Sequence, residues 1–387
     1  MHTFRYQVFR RLHCWLALPF ALFLIIQGLT GTAITWKHEL DVWLNSDLML
    51  VPVPAKKVQV IPQKMALSVV LDRFKSDQHY ANPAMIELPE KSNEVLIAWY
   101  KSGKPQAGNN DKRSNRQVMI NPYTGDIVGE RIVGENGFSR SQLMPTLLSL
   151  HRQLLSGDNG KLVVAINGVV LAIIALSGIY LWWPVWRLKA WWQAITISRH
   201  GSWKRFNLRL HRAAGFYAAP FFLMLAITGI YFNRPEWITP LVAQLTVVSP
   251  DGVEIKTTPT ILVENNIKNV NLEQAIDLAQ QQFPLARVSR ISLPEKANGK
   301  YEIRLHQPGE LRQGSGATRV TVDAESGTIS KIRDPLKASK EVLFYSYFFP
   351  LHSGDIFGAA SKIVVSIVGL LPLLFAISGT LIWWRRR

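Results

Sequence analysis

Residues 150–183 read LHRQLLSGDNGKLVVAINGVVLAIIALSGIYLWW, and residues 351–384 read LHSGDIFGAASKIVVSIVGLLPLLFAISGTLIWW. Both open on Leu-His and close on Ser-Gly-x-x-x-Trp-Trp, 201 residues apart. Each ends in an uncharged apolar run, Leu162–Trp183 or Ile363–Trp384. Such a run is long enough to cross a ~30 Å hydrocarbon core, which takes about 20 residues. Two more uncharged runs, Cys14–Trp36 and Ala213–Phe232, match each other as well. Leu12-His13 returns as Leu210-His211 and Leu29-Thr-Gly31 as Ile227-Thr-Gly229, both 198 residues on. Leu88-Pro-Glu-Lys91 returns as Leu293-Pro-Glu-Lys296. Near-constant offsets across five motifs mark an internal repeat. Each copy has two spans, so the copies share one orientation, as parallel repeats about an axis along the membrane normal do.

Composition agrees with four spans carrying a large polar part. Of 387 residues 48 % are hydrophobic, yet mean hydropathy is only +0.08. The 13 tryptophans gather at the ends of the apolar runs, where an amphipathic ring sits at headgroup level. The charge of +17 fits basic loops against anionic lipid, and no helix-turn-helix, zinc-finger or RNP pattern points to nucleic acid. Cys14, the only cysteine, excludes an internal disulfide, a Cys-ligated iron–sulfur cluster and covalent C-type haem attachment.

Basic residues set the orientation. Arg5, Arg10 and Arg11 precede the first span, a basic loop from Arg187 to Arg212 joins the second to the third, and Arg385–Arg387 follow the fourth. These belong on one side, the cytoplasmic one. The first span is too long for a signal-peptide core and reads as an uncleaved anchor. The expected division is 1–36 (N-terminus and first span), 37–160 (first outer domain), 161–184 (second span), 185–210 (basic loop), 211–233 (third span), 234–361 (second outer domain) and 362–387 (fourth span and tail). Each outer segment reads as a helix and then strands. Lys64–Lys75 precedes strands at Met85–Leu88, Glu94–Tyr100 and Gln117–Ile120 and the turn Asn121–Gly125. Asn271–Gln282 precedes strands at Val288–Leu293, Tyr301–Leu305 and Thr318–Val322 and the turn Asp323–Gly327. Period-2 alternation bounded by turn residues is the strand signal.

Four of nine histidines occupy matched positions. His13 and His211 open the first and third spans at the cytoplasmic edge. His151 and His352 lie shortly before the second and fourth on the outer side. The repeat brings His13 toward His211 and His151 toward His352, one pair at each membrane level. Paired imidazoles from different helices suit axial ligation of haem iron. The stripe from His13 (Ala17, Phe20, Leu24, Gly28, Gly31) and that from His211 (Gly215, Ala218, Phe222, Ala226, Gly229) leave room for a macrocycle. Arg10, Arg11, Arg152 and Arg212 are near enough in sequence to pair with propionates. Edge histidines also sit in headgroup layers, and small residues also serve helix packing. A simple metal-ion site would add Cys, Asp or Glu. His38, near Glu39 and Asp41, is a lesser candidate ligand on the outer side. His2, His79, His200 and His306 read as solvated. The Gly-x-Gly in Gln313–Thr318 has no βαβ context for a dinucleotide.

These motifs resemble the PepSY-associated transmembrane helix family, and the outer segments resemble PepSY domains. Length and arrangement are similar to the FoxB-type ferrisiderophore reductases within that family. The resemblance implies a bacterial inner-membrane oxidoreductase with two non-covalent b-type haems and both termini cytoplasmic. His13, His211, His151 and His352 would carry the haem iron, and periplasmic PepSY-like α+β domains would receive an Fe(III)-siderophore. The electron donor would be a cytoplasmic partner or a membrane quinol. The competing expectation is a PepSY-domain regulator or ligand-binding membrane protein without redox activity. A metal transporter ranks last, because the spans lack intramembrane carboxylates.

Overall fold

The computed structural model describes residues 2–54, 65–74, 77–101, 115–184, 186–246, 269–296, 298–338 and 340–384. Four of its helices are long and apolar enough to cross a membrane: Phe4–Thr35, Gly157–Trp182, Trp203–Asn233 and Ala359–Trp384. They make the chain a membrane protein. Two compact units result, one of Met1–Trp36, Leu147–Val248 and Leu351–Arg387, the other of Lys37–Thr146 and Ser249–Pro350. The Arg385–Arg387 tail and the ends Lys64 and Lys75 of the expected helix lie outside the described residues, and Leu67–Asp72 within it is helical.

In the helical unit the first span packs along the fourth and the second along the third. Lipid offers helices no hydrophobic drive to associate, so small residues and hydrogen bonds carry the contact. A Cβ on Gly28 would run into the carbonyl oxygen of Gly369, and one on Gly369 into Thr32 Oγ1. Thr32 Oγ1 donates to the Ser366 carbonyl at 3.0 Å, and Trp36 Nε1 donates to Ser366 Oγ at 2.9 Å. The helices begin before the apolar runs. His13 and His211 therefore lie inside helices, about two turns from the ends, and not at their openings.

The second unit is an antiparallel sheet of β1 (Met85–Glu87), β2 (Leu96–Lys101), β3 (Asn115–Ile120), β4 (Ile127–Val133), β5 (Arg287–Ser292), β6 (Lys300–His306), β7 (Thr318–Asp323) and β8 (Ile329–Arg333). The order is β4-β3-β2-β1-β5-β6-β7-β8. The segments expected as two domains, 37–160 and 234–361, thus contribute to a single sheet. Pairing of β1 with β5 satisfies what would be two open edges. The expected limits at 160 and 361 also move inward, because the helices Arg140–Gln153 and Phe348–Ser353 enter the membrane unit at Leu147 and Leu351.

One face of the sheet buries Ile86, Ala98, Val118, Ile291, Ile303, Leu305 and Val320 under the helices Leu67–Asp72 and Leu272–Gln282. Asn271 and Gln274 close a reciprocal capping box on the second helix. The two expected turns form as read. Asn121 Oδ1 accepts from Tyr123 N at 2.9 Å, and Asp323 Oδ1 from Glu325 N at 3.1 Å. Gly125 and Gly327 take φ of 76° and 69°, which only glycine adopts freely. Each turn leads into a strand that the sequence reading lacked, β4 and β8.

Arg131 of β4 reaches Asp41 through two bonds of 2.8 Å, both side chains nearly excluded from solvent. Gln117 and Asn45 satisfy the remaining atoms. Removing one partner strands the other charge, so Asp41→Ala should destabilise the sheet unit by about 3–5 kcal/mol. Denaturant unfolding monitored by far-UV circular dichroism measures this, and an unchanged midpoint would contradict it.

Candidate functional site

Each of the four matched histidines is held the same way. His13 Nδ1 lies 3.0 Å from Ser177 Oγ of the second span, and His211 Nδ1 lies 2.7 Å from Ser378 Oγ of the fourth. His151 Nδ1 lies 3.1 Å from Thr30 Oγ1 of the first span and 3.1 Å from the Gln27 carbonyl. His352 Nδ1 lies 2.7 Å from Thr228 Oγ1 of the third. The hydroxyls also face their own helices: Thr30 donates to the Ile26 carbonyl at 2.6 Å, Ser177 to Ile173 at 2.7 Å and Thr228 to Met224 at 2.7 Å. Ser378 makes a longer bond of 3.5 Å to Phe375. A hydroxyl has one proton to donate. With it given to a carbonyl, the oxygen accepts from Nδ1–H, which places the imidazole lone pair on Nε2. A ring nitrogen bonded away in this manner orients its partner nitrogen for a metal.

The residue after each hydroxyl is glycine, and the imidazole lies against it. A Cβ on Gly31 would come within 3.1 Å of His151 Cε1, and one on Gly379 within 3.3 Å of His211 Cε1. At Gly178 and Gly229 the distances to His13 and His352 Cε1 are 3.4 and 3.5 Å. The hydroxyl–glycine pair therefore serves as both latch and seat.

His151 and His352 come together with ring centres 6.1 Å apart and planes at 63°. Two imidazoles on opposite sides of one metal ion, with bonds of about 2 Å, stand roughly 6 Å apart between ring centres. His13 and His211 line one cavity of about 690 Å³, within the ~300–1,000 Å³ of small-molecule sites. Ala17, Leu24, Gly215 and Phe222 from the two expected stripes line it, with Phe375 from the fourth span. The stripes do not form one slot: Gly28 serves helix packing, while Gly31 and Gly229 seat the other two histidines. Arg10, Arg11 and Arg212 also line the cavity, whereas Arg152 is exposed and does not.

The family model for the PepSY-associated TM region matches residues 10–386. The chain belongs to that family. Among curated proteins none matches. In this PepSY-associated protein the match embraces all four histidines with their hydroxyl and glycine partners. No cluster of three or more His, Cys, Asp or Glu suited to a metal ion occurs among the described residues. Each histidine pair can therefore supply two ligands and no more.

His38 belongs to the sheet unit, and its Nε2 is engaged by Glu94 Oε1 at 3.0 Å. Burial would raise the Glu94 carboxyl, but the His38 hydrogen bond and charge, with Lys91, hold it below its ordinary value. His200 is exposed, and His79 stands 3.9 Å from Glu130. His306 departs from the solvated reading, for its Nε2 is buried. The hydroxyl partners were missed as site residues, although Thr30-Gly31, Ser177-Gly178, Thr228-Gly229 and Ser378-Gly379 were visible as repeated pairs. A hydroxyl–glycine pair in each span, matched in number to the histidines, was the available signal.

Thr228→Val keeps the shape but leaves the His352 Nδ1–H without its acceptor. It should lower stability by about 1–3 kcal/mol, while Thr228→Ser holds close to the parent. Thermal unfolding in detergent micelles compares them, and equal melting of the two variants would rule out the latch.

Proposed function

We propose that this protein carries electrons across a bacterial inner membrane on two non-covalent b-type haems and reduces Fe(III)-siderophores in the periplasm. The observation behind the proposal is the set of four imidazoles, all latched through Nδ1, in two pairs. A pair of imidazoles leaves most of a metal ion's coordination unfilled. A macrocycle that brings four nitrogens needs two more ligands, and a pair provides them. His13 and His211 would hold one haem, His151 and His352 the other. The chemistry supplied there would be a one-electron ferric/ferrous couple, its potential set by the imidazole pair and by burial.

The chain's own residues do the rest. The hydroxyls fix each ring's rotation and tautomer. Phe222 and Phe375 give the His13/His211 cavity apolar walls. Arg10, Arg11 and Arg212 supply cations for carboxylates at its rim. The basic segments from Arg5 to Arg11 and Arg187 to Arg212 support a cytoplasmic level for His13 and His211. The termini are then cytoplasmic, His151 and His352 lie at the outer level, and the PepSY-like sheet is periplasmic. The tandem two-helix repeat explains why every latch occurs in matched copies. A membrane quinol or a cytoplasmic partner is the donor. One electron gained by the siderophore-bound iron weakens its hard-oxygen ligation and frees it for uptake. The overall likeness is to FoxB-type ferrisiderophore reductases.

The optical spectrum tests this. Purified protein should show a Soret band with about two haems per chain. His13→Ala should lose about half of it and His13→Ala/His352→Ala nearly all. No Soret band, or one that survives the double substitution, overturns the proposal.

A further inference from the structure

Four arginines stand side by side across the second half of the sheet. Arg290 of β5 pairs directly with Arg304 of β6, Arg304 with Arg319 of β7, and Arg319 with Arg333 of β8. They occupy the face opposite the core, since Ile291, Ile303 and Val320 beside them are fully buried. Neighbouring strands lie about 4.8 Å apart, so the row spans roughly 14 Å. Like charges directly opposite on a sheet repel and destabilise it.

The protein answers this repulsion only in part. Glu87, opposite Arg290 on β1, pairs with it, and Glu302 pairs with Arg319 at 3.3 Å. Arg304, between them, has no ion pair or side-chain hydrogen bond among the described residues. A row that met only water would have wet donors. Here the Nε atoms of Arg290, Arg304 and Arg319, the Nη1 of neighbouring Arg287 and the Nε2 of His306 are buried without partners. Burial, then the charges of Arg319, Arg290 and Arg312, push the Arg304 guanidinium down to about 10. An anion laid along the row would relieve both the repulsion and the unmet donors. Guanidinium forks match carboxylate-type oxygens two at a time, and the fork of Arg304, set between two paired arginines in a positive row, suits an anionic oxygen ligand.

We propose that this arginine row binds an oxygen-ligated Fe(III) chelate of net negative charge, of the carboxylate or catecholate class. This rests on the reading of the protein as a ferric-chelate reductase and names its substrate class. Reduction adds one more negative charge to such a chelate, the electron coming from the donor proposed above. The same row therefore favours the reduced form.

Binding is measured with redox-inert Ga(III), so it does not depend on haem or turnover. Isothermal titration of the full chain in detergent with Ga(III)–citrate should show saturable binding that weakens with salt. A cationic Ga(III) trihydroxamate should bind at least about tenfold more weakly. Arg304→Gln should weaken Ga(III)–citrate binding about tenfold or more without lowering the melting temperature, because it removes a repelled charge. Arg304→Lys should fall between. Equal binding of both chelates, unchanged binding by Arg304→Gln, or competition by inorganic phosphate or anionic-lipid nanodiscs as strong as by citrate overturns the assignment. A haem-loaded protein that ignores Ga(III)–citrate sinks the row and leaves the electron path standing. A protein without a Soret band that still binds it does the reverse.

Discussion

A hydroxyl has one proton, and the arrangement of the membrane unit turns on where that proton goes. In the first, second and third spans it goes to a carbonyl one turn back, at 2.6–2.7 Å. The oxygen is then committed as an acceptor for an imidazole from another helix. This converts a general feature of membrane helices, the Ser or Thr that bonds back to its own backbone, into an orienting device. The following glycine removes the side chain that would push the ring away. Two small residues thus set a histidine's height, rotation and tautomer, and the fold repeats the solution four times.

The spans were legible because runs of about 20 or more residues, mostly apolar and without charge, allow little else. The pairing of the histidines was legible because the motifs repeat at near-constant offsets. The latches were not, since each joins residues 121–167 positions apart and a Thr-Gly inside a span reads as packing. β4 and β8 escaped notice for local reasons. Gly129 interrupts the alternation of β4, and the register shifts between Met119 and Ile120 and again between Thr321 and Val322. The helix Arg140–Gln153, which delivers His151, contains Pro145 and a polar start, so its pattern is weak.

The sheet shows the complementary lesson. Alternation identified β5, β6 and β7, and nothing within one strand sets its arginine apart. Only register aligns Arg290, Arg304, Arg319 and Arg333, and register between strands is not written in any single strand. The same holds for the merger of two expected domains. Met85–Glu87 is a strand of three residues, too short to announce itself as the centre of an eight-stranded sheet.

That central strand carries a consequence for how the protein is made. β1–β4 are complete once Val133 is synthesised, but their partner edge begins at Arg287, and the second and third spans are built between. Until β5 arrives, β1 is an open sheet edge, the kind of surface that recruits other chains. Its length of three residues limits that exposure to a few hydrogen-bonding groups. A brief strand at the seam is a safeguard during synthesis, and the long loop closure needed to zip the seam makes it a late step in assembly.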